Sequence, residues 1–170
     1  MNQISPGVAR LTAITALIGA LVVILSQVVT AYSLENELGE VVETVTLLSK
    51  HGVITAIFGL VAALAVVFAV ATGSRAAAIV VIGMGAAVVL VFLFVDLPDV
   101  GDTGMFNAPL AGNIDVTGKA SAGLWLELTG GAILILSGIA MATLGESQLR
   151  AIGPGGDRAP TGRTGRAINR

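Results

Sequence analysis

Glu127 is the residue in this chain best placed to do chemistry. It stands about one turn inside a long apolar segment, residues 124–144. An ionisable side chain at such a position is costly, which makes it a candidate functional group. Asp96 follows another apolar segment, residues 76–95, and Asp99 and Asp102 come after it at three-residue spacing. On a helix these three would share a face, but Pro98 and Gly101 predict turns instead. Gathered carboxylates bind hard cations such as Ca²⁺ through oxygen, or relay protons if one of them keeps its proton. The plainer expectation is that all four lie at a wet boundary, cap turns, and pair with Lys119 or water. Asp96, Asp99, Asp102 and Glu127 are thus weak metal-ligand candidates, and no EF-hand spacing is present.

His51 is the only histidine, beside Lys50 at the start of an apolar segment. A solvated helix-end residue is the expectation there, with pH sensing as the alternative. There is no cysteine, which removes disulfides, thiolate metal sites and cysteine nucleophiles. No Gly-rich phosphate loop followed by Lys and Ser/Thr occurs, nor His-Glu-x-x-His, nor Gly-x-Ser-x-Gly. A serine triad has only His51 to draw on, and no serine is marked as its partner. The chain is therefore read as a non-enzyme, with no catalytic residue and no cofactor.

The elements that must position these side chains are four apolar segments, residues 11–32, 53–72, 76–95 and 124–144. A helix rising ~1.5 Å per residue needs about 20 residues to cross ~30 Å of hydrocarbon, and each segment has that length. In lipid the backbone must satisfy its own hydrogen bonds, so four spanning segments mean four helices. Composition agrees: 12% of residues are charged, about half the fraction of a soluble domain, and mean hydropathy is +0.92. Ser and Thr in the first segment can return their hydroxyls to backbone carbonyls, while Gln27 should face a neighbouring helix or lie near the boundary. Trp125 and Tyr32 are the candidates for interfacial aromatics.

Charge sets the orientation. The regions before the first segment, between the second and third, and after the fourth hold Arg10, Arg75, Arg150, Arg158, Arg163, Arg166 and Arg170 against Glu146 and Asp157. The alternate regions hold nine acids against Lys50 and Lys119. The positive-inside rule puts both termini in the cytoplasm and an acidic cap outside. The competing reading of the first segment is a cleaved signal peptide, with small residues at Val29-Thr30-Ala31. Its apolar run is longer than the ~7–15 residues of a signal core, which favours a span.

The first outer loop, residues 33–50, alternates Leu and Val with Glu35, Glu37, Glu40 and Glu43 at roughly helical spacing, which predicts an amphipathic helix on the membrane surface. The second, residues 96–120, is rich in Pro and Gly and predicts a turn-rich folded cap anchored by Met105, Phe106 and Leu110. Gly59, Ala63, Gly83, Gly131, Gly138 and Gly145 are read as helix-packing positions, since small residues let helix backbones approach. Gly131, Gly138 and Gly145 recur every seven residues, near one face. Residues 153–170 predict a disordered basic cytoplasmic tail that attracts anionic lipid.

The Ala/Val/Gly-rich spans, the Asp96-Leu-Pro-Asp99 to Gly104 stretch, and Gly123-Leu-Trp-Leu-Glu127 opening the fourth span resemble small four-helix integral membrane proteins of actinobacteria with no assigned activity. The resemblance implies a bacterial plasma membrane and no chemistry. Gly-Leu-Trp also occurs in claudin-type proteins, there in the first outer loop with cysteines; its place here and the lack of cysteine reject that match.

The expectation is an all-α membrane protein: a four-helix bundle over residues 1–152, both termini cytoplasmic, with an acidic extracytoplasmic cap. Its function is expected to be that of a non-catalytic structural or accessory subunit, packing through Gly/Ala faces against a membrane-protein partner or itself, with no nucleic acid involved. The alternative is a small transporter or cation-binding protein using the outer carboxylates.

Overall fold

The computed structural model describes residues 6–51, 53–108 and 112–151. Four of its helices are long and apolar enough to cross a membrane: Gly7–Ser26, Ile54–Thr72, Arg75–Asp99 and Ala122–Thr143. Helix α1 (Pro6–Ser26) packs against α3 (Ile54–Thr72) and α5 (Ala122–Thr143), and α4 (Arg75–Val91) packs against the same two. The four form a closed ring around Ala16, Ala20, Val23, Ala62, Val66, Ala69, Ala78, Val81, Val88, Leu134 and Met141. Three hydroxyls in these helices return to their own backbone: those of Thr12, Ser26 and Ser137 donate to the carbonyls of Val8, Val23 and Ile133.

The expectation of an all-α protein is wrong. Both loops at one end of the bundle are β-hairpins, and together they make one four-stranded antiparallel sheet of order β2-β1-β4-β3. Strand β1 (Thr30–Asn36) and β2 (Val41–Thr46) come from the first loop, β3 (Thr103–Ala108) and β4 (Gly112–Ala120) from the second. The first apolar segment is therefore cut short. Its helix stops at Ser26, and Thr30–Tyr32 belong to a strand rather than to a span ending at residue 32.

The predicted amphipathic helix in the first loop is absent for local reasons. Asn36 Oδ1 accepts from the backbone N–H groups of Leu38 and Glu40, and Gly39 takes φ +78°. That is a tight turn built from an Asn side chain and a glycine, and it reverses the chain. The run Val41-Val-Glu-Thr-Val-Thr46 that follows is dense in β-branched residues, which fit a pleated sheet better than a helix. Only the five residues of α2 (Leu47–His51) are helical there. In the second loop, Met105 does not anchor anything within the chain: it is 76% exposed, while Phe106 is half-buried. Leu110 and the predicted basic tail lie outside the described residues.

The sheet is fastened to the bundle. Tyr32, Ala31, Leu47, Phe92 and Leu124 form a second apolar cluster beneath it. The turn after α4 is stitched to β4, because Gly101 N–H donates to the Gly118 carbonyl at 2.7 Å and Gly118 N–H to the Asp102 carbonyl at 3.0 Å.

The opposite end is closed differently. Gly73 caps α3 at φ +74°, with its N–H on the Ala69 carbonyl, and Ser74 Oγ accepts from Ala77 N to start α4. Helix α6 (Glu146–Arg150) folds beneath this turn: Arg150 Nε donates to the Thr72 carbonyl at 2.8 Å and Arg75 Nε to the Leu144 carbonyl at 3.4 Å. These cations sit on carbonyls that the helix ends leave unpaired.

The close contacts among helices run through some of the expected small residues and not others. A methyl group on Gly138 would come 2.7 Å from Ile82 Cγ1, and one on Gly131 3.0 Å from Val89 Cγ2. One on Gly59 would come 3.0 Å from the Ala20 carbonyl oxygen. Ala63 is half-buried against the core. Gly83 has nothing within 4 Å, so it makes no close approach. Gly145 stands at the N-cap of α6, its N–H bonded to Gln148 Oε1, rather than on the packing stripe. Gly19, Gly85 and Gly130, which the seven-residue spacing passes over, lie in contacts as tight.

Candidate functional site

The buried polar groups of the described residues collect where the sheet meets the bundle, and Asp96 is their centre. The chain reaches it by an irregular route. Pro98 has no N–H and disfavours α geometry in the residue before it. The helix widens into a π turn over Phe92–Asp96, with Leu97 N–H on the Phe92 carbonyl, and ends in a 3₁₀ turn over Leu97–Asp99. The π turn buries Phe92 and Asp96 side by side. Insertions of this kind are frequent at functional sites.

Asp96 has no exposed surface, and its two oxygens differ. Oδ1 accepts from the Tyr32 hydroxyl and from Lys50 Nζ, each at 3.1 Å. His51 Nε2 lies 2.9 Å from the same oxygen but is not aligned as a hydrogen bond. Oδ2 has no partner. Tyr32 also donates to the Asp96 carbonyl at 2.7 Å. Lys50 reaches further, donating to the Val95 carbonyl, pairing with Asp99, and lying 4.8 Å from the centre of the Tyr32 ring. Burial and the neighbouring Asp96 carboxylate push the Tyr32 phenol well above its ordinary value of 10.0, so it acts as a fixed donor.

Glu127 faces Asp96 from α5, with Thr55 of α3 also against it. It too has no exposed surface, and neither of its oxygens has a hydrogen-bond partner. Its level in the bundle follows from its neighbours on the same helix face. Gly123 contacts the carbonyls of Val29 and Thr30, and Gly130 contacts Val23. Glu127 between them stands level with the Ser26–Gln27 end of α1, where Gln27 is buried as well. Gly123 and Gly130 permit that approach: a methyl group on Gly123 would come 2.5 Å from the Val29 carbonyl oxygen.

Of the four carboxylates singled out in the sequence, the structure brings together Asp96 and Glu127. Asp99 stands at the rim, half in water, sharing Lys50. Asp102 is exposed, with its side chain on the Thr103 N–H. Among the described residues no group of three or more His, Asp or Glu side chains is arranged to hold a metal ion. The expected partner of the acids, Lys119, pairs with Glu35 on the sheet instead. His51 is not a solvated helix end; its side chain is 12% exposed and turned onto Asp96. Tyr32, Lys50 and Thr55 belong to the site and carry no motif that marks them. Their one signal is that polar side chains fall where a span meets a loop.

The chain matches no family model, no curated protein and no solved structure.

Proposed function

We propose that the chain is an integral membrane protein that crosses the plasma membrane four times, both termini in the cytoplasm, and serves as a non-catalytic accessory subunit presenting its sheet outside. Four long apolar helices support the crossings. The segregation of charge supports the orientation: Arg10, Arg75 and Arg150 belong to the end opposite the sheet with Glu146 beside them, and Glu35, Glu37, Glu40, Glu43, Asp96, Asp99, Asp102, Asp115 and Glu127 to the sheet end.

The observation that carries the accessory role is that both loops contribute to one sheet, which is bonded into the bundle through Tyr32, Lys50 and Asp96. Such a module is held in a fixed pose at the membrane surface, as recognition of another protein requires. Its outer strands β2 and β3 leave one edge each unpaired within the chain, and a free strand edge is a site where another chain pairs.

The test is purification of the tagged protein from its native membrane in mild detergent, with cross-linking from positions on β2 and β3. A stoichiometric partner cross-linked through the sheet, and kept on Glu127→Gln, is the expected result. A partner-free protein that moves a cation in liposomes, and stops on Glu127→Gln, overturns this reading in favour of cation handling.

A further inference from the structure

Asp96 Oδ2, both oxygens of Glu127 and Thr55 Oγ1 are fully buried and have no hydrogen-bond partner. All belong to side chains that face one another. Leaving buried polar atoms unpaired is expensive, and a bare buried carboxylate is the worst case. Of the donors in reach, His51 Nε2 lies against Asp96 Oδ1 rather than Oδ2, and the other two are committed elsewhere. Tyr32 serves the Asp96 carbonyl and Oδ1; Lys50 serves Oδ1, the Val95 carbonyl and Asp99.

One proton shared between the two carboxyl groups relieves the costliest of these atoms. Placed on a Glu127 oxygen, it gives an O–H for Asp96 Oδ2 to accept. A metal ion is the poorer fit, because among the described residues no three or more His, Asp or Glu side chains are grouped so as to hold one. Lys50 already neutralises Asp96 in part.

We propose that Asp96 and Glu127 hold one exchangeable proton between them, and that its loss to the water on the sheet side loosens the sheet from the bundle.

Every element packed around the pair enters the charge balance. α2 brings Lys50 and His51, β1 brings Tyr32, the 3₁₀ turn brings Asp99, and α3 brings only the neutral Thr55. With the proton in place, Asp96 and Asp99 face Lys50, with the His51 ring beside Asp96. When the proton leaves, three carboxylates share the same cations, two of them buried and adjacent. The relief open to them is separation, which moves Asp96 away from Tyr32 and Lys50 and so undoes the fastening of β1 and α2.

Exchange has one direction. Beyond Glu127 the buried face of α5 runs through Gly130, Gly131, Leu134, Ser137, Gly138 and Met141. The single hydroxyl there is spent on the Ile133 carbonyl. The site can therefore answer the pH of one compartment without conducting protons to the other. The proposal does not depend on the accessory role.

Infrared spectroscopy of the full-length protein in lipid vesicles tests it. At neutral pH a protonated-carboxyl band of one group per chain is expected. It should shift when aspartate or glutamate carboxyls carry ¹³C and vanish as pH rises, and Trp125 emission should change over the same interval. Trp125 is the only tryptophan and packs 6.2 Å from Phe92 at this joint. Glu127→Gln should lack the band and the emission change; the isotope shift reports on the native chain if that variant does not fold. Absence of the band at neutral pH overturns the proposal. So does its loss when Na⁺ or Ca²⁺ is added at fixed pH, which would make the site a cation site. A band that titrates with no change at Trp125 overturns the loosening.

Discussion

The two halves of the bundle are held by different physics. Away from the sheet, the α1–α5 and α4–α5 seams close over Gly19, Gly85, Gly130, Gly131 and Gly138, with alanine, valine and leucine between them. The residues that close these seams are uncharged. Beneath the sheet, Tyr32, Lys50, His51, Asp96 and Glu127 crowd into a space without exposed carboxylate surface. The first region gains from shape, at a cost for any added atom. The second gains from hydrogen bonds to charge, at a cost for any missing partner. One chain thus keeps an interior indifferent to its surroundings and a joint that is sensitive to them.

The largest expected effect falls on the seam. Gly138→Leu places a side chain where a single methyl group already comes 2.7 Å from Ile82 Cγ1 and 3.0 Å from Ile82 N. Overpacking against backbone should cost more than about 3 kcal/mol, and little folded protein should survive detergent extraction in a thermal assay. Lys50→Met comes next. It strips the buried Asp96 of its cation, at a cost of about 3 kcal/mol, the low end for a broken buried pair. Hydrogen exchange should rise in β1 and α2 while α1 and α5 stay protected. A variant in which both ends loosen together would erase the distinction drawn here.

Tyr32→Phe removes the hydroxyl from the Asp96 carbonyl and Oδ1 and should cost about 1–2 kcal/mol. The same hydroxyl gives a pH test. Tyr32 is the only tyrosine, and its phenol is held above the ordinary 10.0 in the folded chain. Its contribution is therefore complete below that value and falls away above it, because the unfolded chain then ionises while the folded one resists. Ultraviolet titration should show no tyrosinate near pH 10–11 until the joint opens. The smallest effect has the opposite sign. Gly83 meets nothing within 4 Å, so Gly83→Ala should stabilise by about 0.5–1 kcal/mol through helix propensity. A loss there would reveal a contact with another molecule.

The bundle was legible because apolar runs of membrane-spanning length leave the backbone little choice. Glu127 and Asp96 were legible for the same reason: a carboxylate stands out in or beside such a run. The sheet was not. In residues 33–50 the leucines and valines fit a helical period as well as an alternating one. The deciding signals were Asn36 with Gly39 and the β-branched cluster after them. Pairing of the first loop with the second lies far apart in sequence, and no local pattern encodes it. In sequence Lys50 and His51 read as boundary residues, since their burial depends on a sheet whose pairing no local pattern encodes. Gly83 looked like Gly138 because composition does not say which side of a helix faces a neighbour.

The strand order also dictates a schedule. Strand β1 pairs with β2 within the first hairpin but needs β4 on its other side, and β4 is made just before α5. Until the ribosome has delivered residues 112–120, the first hairpin waits with an open edge. Asp96 can take Lys50 and Tyr32 before that moment, but Glu127 arrives only afterwards, with α5. The α6 clasp on the α3–α4 turn comes later still. This protein cannot be assembled from its amino end in finished pieces: its middle stays provisional until α5 closes the sheet end and α6 the other.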